Sequence, residues 1–458
     1  MNEMNDKKAF EILESVFKAG LMRVDPLHMM RNQLSLKGDE LTIDTGTEKH
    51  VINLAKFKRI LVTGMGKASS RMALGLEEIL GERIDSGIIA VKYGHTEKLK
   101  HIKLMEAGHP VPDAGSINAA KTILDYIKDT GEHDLIINLV SGGGSAVMCS
   151  PYTGAGGIPI SLDEKQSVSK LLLACGADIH EINCIRKHLS NVKGGRLAEI
   201  MYPAQSVNLI LSDVVGDSLD AIASGATVPD STSFSNVIEI VHRYNLESKL
   251  PPRVMELFRA GSEGKIPDTP KPDSKVFNST LNILIGTNHH ALFAASEEAA
   301  KLGCRTEILT SVLTGEAREI AHFFAAIGRD ACTWRNQKEL PLCVIAGGET
   351  TVTLKGDGLG GRNQEMSLSF LNNLGKSPEF AERIFFLSAG TDGNDGPTDA
   401  AGAFASLGIY TKGKSQGLDP EKYITASDSY HYFEKTGGLF KTGPTGTNVC
   451  DIQLLLIM

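Results

Sequence analysis

Two α/β domains are what this sequence predicts: an N-terminal Rossmann-like domain with a mainly parallel sheet, and a C-terminal α/β domain with a mixed sheet. Three observations carry that reading. From residue 59 onward short apolar runs alternate with helical segments, the pattern of βαβ units. The 47 glycines fall in short clusters directly behind those runs, at the strand ends where open α/β sheets hold ligands. The alternation lapses between Pro251 and Phe277, where five prolines and two glycines interrupt it, and such a stretch reads as a boundary.

The chain opens on helical periodicity, with Phe10, Leu13, Phe17 and Leu21 recurring at spacings of three and four. From Arg59, RILVTG reads as a strand, GMGKASS as the loop behind it, and RMALGLEEIL as a helix. GIIAVKYG is the next strand, INAAKTILDYIKD a helix, and DLIINLV a strand entering SGGGSA. Helices follow around 161–176 and 181–200, and strand SVNLILS runs into DVVGDSLD. Beyond the Pro-rich lapse come strand NILIGT, helix ALFAASEEAAKLG, strand RTEILT and a helix to about Arg329. LPLCVIAGG and TVTLKG, joined by Glu349 and Thr350, read as adjacent strands. GDGLGGRNQE opens a helix, FFLSAG is a strand, and GTDGNDGPTD leads to a further helix before the last strand, DIQLLLI. The expected division is 1–250 and 275–458, with 251–274 as linker.

Composition narrows the function classes. With 41% hydrophobic and 22% charged residues among 458, the chain has an ordinary globular profile. A net charge of −8 gives it no general affinity for nucleic acid. No apolar stretch approaches the length of a membrane span, and the polar start MNEMNDKKAF lacks the apolar core of a signal peptide. The seven cysteines form no CxxC pair, which argues against a zinc site and for reduced thiols in a cytoplasm.

Five glycine-bearing loops lie behind strands, and their chemistry is complementary. GMGKASS brings Lys67 after Gly66, at the mouth of a helix whose N-terminus favours anions. It is no P-loop, because the required first glycine would be Leu61. Nor is it a full dinucleotide fingerprint, because the next strand ends AVKYGH without a carboxylate. In SGGGSA, Gly142, Gly143 and Gly144 can turn several N–H groups toward one anion, with Ser141 and Ser145 adding hydroxyls. RKHLSNVKGGRLAE packs Arg186, Lys187, His188, Lys193 and Arg196 together. Any one of these reads first as a solvated helix face, and Lys193 and Arg196 as a clamp for a carboxylate or phosphate. GDGLGGRNQE puts Arg362 at a helix start, near Glu349 in the chain, and a guanidinium fork matches phosphate oxygens. GTDGNDGPTD is not a calcium loop, since its sixth and twelfth positions are Pro397 and Ala403. A second acidic loop, with Asp213 and Asp217, also follows a strand. Two carboxylate loops, two cationic loops and an N–H-rich turn are the parts of phosphoryl transfer. On loop position, Asp213 and Asp392 are the nominated Mg²⁺ ligands. Asp395 and Asp399 shape their loop, with Asp399 placed to cap the next helix.

The motifs VTGMGKASSRMA, EAGHPVPDAGS, LVSGGGSA, RKHLSNVKGGRLA, LILSDVVGDSLDAIASG, GGRNQE, GTDGNDGPTDAAG and TGPTGTNVCD occur in this order over residues 60–455. Together they resemble the bacterial and archaeal glycerate 2-kinases whose C-terminal part is the MOFRL domain. The resemblance implies ATP-dependent phosphorylation of D-glycerate at its 2-hydroxyl with a divalent metal. It also implies catalytic roles for Lys67 in the GKA motif and Arg362 in GGRNQE. As loop cations, both are expected to be dispensable for folding. The partners implied are D-glycerate and ATP, with a homo-oligomer left open. Two other readings stay open on the residues alone: an NAD(P)H-dependent hydroxypyruvate reductase, which would need the missing ribose-binding acid, and a non-catalytic sensor of a small phosphorylated acid.

Overall fold

The computed structural model describes residues 2–154, 157–334, 340–376 and 378–458. The chain divides into two compact units, residues 26–285 and residues 1–25 together with 286–458.

In the unit formed by residues 26–285, a three-stranded antiparallel meander, β1 (Leu34–Lys37), β2 (Glu40–Asp44) and β3 (Lys49–Asn53), precedes the main sheet. That sheet is built from β4 (Arg59–Met65), β5 (Ser86–Lys92), β6 (Ile102–Ala107), β7 (Asp134–Val140), β8 (Gln205–Leu211) and β9 (Thr280–Gly286), in the order β6-β5-β4-β7-β8-β9. The pairings from β6 through β8 are parallel. All seven residues of β7 are buried, as a central parallel strand covered on both faces requires. The chain lays down β4, β5 and β6 in one direction and then returns to place β7 on the other side of β4. The carboxyl ends of β4 and β7 thus form the topological switch point, where a ligand crevice opens. GMGKASS and SGGGSA leave the sheet at those two ends.

A second core in this unit is built mainly from helices. Helices Leu162–Cys175, Ile179–His188, Phe234–Arg243 and Pro252–Ser262 bury Leu172, Ile185, Phe234, Val254 and Phe258 against one another. The stretch 251–274, expected as a linker, is therefore part of the domain. Its prolines punctuate a packed segment that starts with Pro252 at a helix N-terminus, where a missing N–H costs nothing.

The other unit carries the mixed sheet: β10 (Arg305–Leu313), β11 (Leu342–Gly348), β12 (Ile384–Gly390), β13 (Gly402–Ala405), β14 (Leu439–Phe440) and β15 (Asp451–Ile457). Their order is β10-β11-β15-β12-β13-β14. β10 runs parallel to β11, and the remaining pairs are antiparallel. The N-terminal helix Asn2–Arg23 belongs here, not with residues 26–250 as expected. The apolar stripe read from the sequence explains why. Phe17 meets Phe440 edge-on at 5.2 Å, Phe10 stacks on Phe404 at 4.5 Å, and Ser15 donates to Glu298 at 3.0 Å.

Two expected elements of this unit differ. TVTLKG forms no strand, and only Thr351 makes an isolated bridge, to Glu316. The acidic loop leads into strand β13, and the next helix, Leu407–Ser415, is capped by Ser406. No described helix is long and apolar enough to cross a membrane.

Candidate functional site

At the ends of β4 and β7, main-chain hydrogen bonds lock two glycine loops together. Lys67 N–H donates to the Gly142 carbonyl at 2.9 Å, and Ser141 N–H to that of Met65 at 3.0 Å. Gly66 has φ +136°, and a Cβ there would lie 2.2 Å from Ser141 Oγ, so only glycine fits. Ser141 Oγ accepts from Ala68 N–H at 3.0 Å and sits 3.0 Å from Ser69 Oγ. That hydroxyl is buried and holds the loops to each other. Gly144 N–H donates to the Ser141 carbonyl at 3.2 Å, so of the expected N–H nest this member is already occupied.

Asp213, two residues beyond the end of β8, reaches the same place. A Cβ on Gly142 would stand 2.0 Å from Asp213 Oδ2, and one on Gly143 2.7 Å from the His109 ring and 3.3 Å from Lys67 Cγ. Glycine here lets a carboxylate, an imidazole and a lysine crowd one loop. Burial raises the Asp213 pKa, and the Lys67 charge opposes it. His109 is pushed down to about 4, by burial first and then by Lys67, Lys92 and His95. It is therefore a neutral imidazole at neutral pH. The His95 ring lies with Nδ1 3.0 Å from the Lys67 carbonyl. Neither histidine was singled out from the sequence. For His109 the signal lay in the motif EAGHPVPDAGS, which had no chemistry assigned to it.

The basic cluster of residues 186–196 is mostly buried, contrary to the solvated-face reading, and its members divide by partner. Lys187 pairs with Asp230 at 3.2 Å and Asp220 at 3.7 Å. His188 sits 2.8 Å from Asp268. Arg196 donates to the carbonyls of Lys187 at 3.0 Å and Ser190 at 2.7 Å and lies over the Tyr152 ring, so its fork braces the turn from within. Lys193 meets hydroxyls instead, donating to Ser145 and, at 3.4 Å, to Ser224.

In the other unit, Arg362 begins the helix Arg362–Leu374. Its Nε donates to Asp451 Oδ2 at 2.6 Å, its Nη2 to Asp451 Oδ1 at 2.9 Å, and its Nη1 lies 2.8 Å from Glu349. Asp451 is fully buried at the start of β15, opposite Gly348 of β11 and Gly390 of β12. Burial alone would lower the Arg362 pKa, but Asp451, Glu349 and Asp395 hold it well above its usual value. Asp392 Oδ1 accepts from Asn394 N–H at 3.0 Å. It stands with Asp451 Oδ1 about the point where a Gly390 side chain would begin, at 3.3 and 3.4 Å. Asp451 escaped the sequence reading because it appeared as the first residue of the last strand and the end of the motif TGPTGTNVCD, with no chemistry assigned to it.

The cap in the acidic loop is Asp395, not Asp399. Asp395 accepts from the N–H groups of Asn363 at 3.0 Å and Gln364 at 2.8 Å, fixing the turn that carries Arg362. Asp399 instead takes the Tyr430 hydroxyl and the Lys441 ammonium, each at 2.8 Å, since no helix follows it directly. Burial raises the Asp395 pKa to about 6 from an ordinary 3.8, against the pull of those hydrogen bonds. Between those values the folded chain keeps a proton that the unfolded chain has released. Its contribution to stability therefore falls as pH rises from about 4 to 6 and is level above that. In urea unfolding, wild type is expected to lose stability relative to Asp395→Asn across that window; parallel pH profiles would refute this. Asp395→Ala should lose about 1–3 kcal/mol at pH 7, where two buried N–H groups are left unpaired.

Lys67, Gly66, Gly142, Gly143, Gly144 and Asp213 thus share one loop cluster, with Ser145 and Lys193 bordering it; Arg362 and Asp392 share another. Among the described residues no group of three or more metal-binding side chains comes together. A domain of unknown function (DUF4147) matches residues 12–259, and the MOFRL family matches residues 342–451. The D-glycerate 2-kinase of Thermotoga maritima is 38% identical over 435 residues, covering 95% of this chain and 99% of that protein. The glycerate 2-kinase of Pyrococcus horikoshii is 38% identical over 434 residues, 94% of each. A protein of Agrobacterium vitis provisionally named hydroxypyruvate reductase is 41% identical over 401 residues, 87% of this chain and 99% of that one. The crystal structure of the Thermotoga maritima glycerate kinase superposes with TM-score 0.85 at 37% identity, over the whole of both chains.

Proposed function

Because this chain belongs to the glycerate 2-kinase family, we propose that it transfers the γ-phosphoryl group of ATP to the 2-hydroxyl of D-glycerate, giving 2-phosphoglycerate and ADP. The observation that carries this is likeness along nearly the whole chain to named glycerate 2-kinases, with Lys67 and Arg362 both placed at strand-end loops. Such a transfer asks the protein mainly for positioning and charge. Lys67 neutralises charge on the transferred group, and Gly142 and Gly143 allow close backbone approach to it. Arg362, pre-oriented by Asp451 and Glu349, offers its remaining N–H groups to phosphoryl oxygens.

The carboxylates suit a magnesium ion, which binds through one or two protein oxygens plus substrate phosphates. Asp213 stands next to Lys67 where burial already disfavours its bare charge; Asp392 stands beside Asp451. Each is a candidate Mg²⁺ ligand in its own loop cluster, and a bound Mg²⁺ would offset phosphate charge. Asp392→Asn is expected to raise the Mg²⁺ concentration needed for half-maximal turnover while leaving the melting temperature nearly unchanged. An unaltered Mg²⁺ titration would reduce the loop to scaffolding. The seven free thiols support a reducing, cytoplasmic setting.

The reaction is tested by ADP release against a panel of short hydroxy acids, with product position read by phosphorus NMR. The reductase reading is tested by NADH oxidation with hydroxypyruvate. Against it stands the end of β5, which offers Lys92 where a nicotinamide ribose needs an acid. Binding without ADP release would leave only a sensor.

A further inference from the structure

A cavity of about 500 Å³ lies beside the Lys67 cluster, lined by Lys165, Arg186, Lys193 and Ser145 together with the apolar Val111 and Leu173. It is joined to that cluster through short stretches of chain. Ser145 follows Gly143 by two residues, and Val111 follows His109 by two; Gly143 packs against both His109 and Lys67.

Its charge is one-sided. No acidic side chain is among the lining residues. Lys165, on the helix Leu162–Cys175, is only 7% exposed, and its Nζ has no hydrogen-bond partner among the described residues. The nearby buried Cys149 thiol is its polar neighbour. Lys193, 3% exposed, donates among the described residues to the hydroxyls of Ser145 and Ser224. Elsewhere in this unit the buried Lys187 ammonium does have a carboxylate, that of Asp230. A buried ammonium without a counter-charge is costly, and an incoming anion removes that cost.

We propose that this pocket receives the carboxylate end of the hydroxy acid, with Lys165 and Lys193 as its counter-charges and Ser145 as a hydroxyl partner. The assignment rests on the kinase reading for the identity of the acid, and on the pocket alone for its charge. A magnesium-bound phosphate wants carboxylates nearby, and the lining has none, whereas Asp213 beside Lys67 supplies one. A bare carboxylate needs only cations and donors. The cavity is roomier than a three-carbon acid requires, so only its carboxylate end is assigned here. Burial pulls the Lys165 pKa down, and burial with Lys165 and Arg186 nearby pulls that of Lys193 well down, both signs of a site that lacks an anion.

The test uses the full chain and Lys165→Met, with D-glycerate binding followed by calorimetry and thermal shift without ATP. Replacing an unpaired buried charge by a thioether of similar length should leave the unliganded melting temperature equal or higher. D-glycerate affinity should fall at least roughly tenfold, as for a lost charged hydrogen bond, and the ligand-induced shift should shrink accordingly. KM for D-glycerate should rise, with kcat and KM for ATP close to wild type. Wild type should prefer D-glycerate to its neutral amide, and the variant should lose that preference. Lys193→Met repeats the test should the first variant fail to fold. Unchanged affinity and preference in a folded variant overturn the pocket assignment while leaving the kinase reading intact. Conversely, Lys165-dependent carboxylate binding with no ADP release sinks the kinase reading and leaves the pocket standing.

Discussion

Arg362→Lys is expected to lower turnover by roughly 10³-fold or more, the loss typical when a phosphoryl-transfer arginine is removed, while the chain stays folded. Lysine keeps a positive charge beside Asp451 but loses the planar fork that holds Asp451 on two nitrogens and Glu349 on a third. Alanine is a different experiment. Asp451 is fully buried, so Arg362→Ala strands a carboxylate in the interior and should cost about 3 kcal/mol of stability in addition to activity. The expectation that a loop cation is dispensable for folding thus fails at this residue. Coupled ADP-release kinetics and urea unfolding on both variants separate the two effects. Near-normal turnover in folded Arg362→Lys removes the arginine from the chemistry.

The same residue marks what a sequence shows and what it hides. Glycines clustered behind apolar runs exposed the strand-end loops, because close approach and positive φ leave a local mark: Gly66 and Gly143 are where they are for steric reasons any reader of the chain can anticipate. The partner of Arg362 leaves no such mark. Asp451 lies far along the chain and becomes its neighbour only because β15 is inserted between β11 and β12. Cap assignment failed for a related reason. Asp399 stood before what read as a helix, but the true cap, Asp395, reaches sideways to a helix earlier in the chain. In the basic cluster, composition implies solvent; the fold instead supplies Asp230 and Asp268 from distant segments. The helical stripe of residues 10–21 announced that it would be buried, but not against which partner.

Lys67→Met should reduce turnover by about 10²–10³-fold, as when one preorganised donor to a transition state is removed, with stability nearly unchanged. Its loop is fixed by main chain: Lys67 N–H on Gly142, and its carbonyl beside His95. Neither interaction involves the ammonium. The lysine charge is the second cause, after burial, that depresses the His109 pKa to about 4. With the charge gone, the His109 imidazole should titrate at higher pH, and Asp213 should become harder to ionise. Both shifts are readable by NMR in the absence of substrate. A moved His109 titration with normal turnover would confirm the geometry and deny Lys67 its chemical role. If turnover collapses and His109 also moves, the lysine's charge at this strand end is what the reaction uses, and methionine, matching its length without its charge, is the substitution that isolates it.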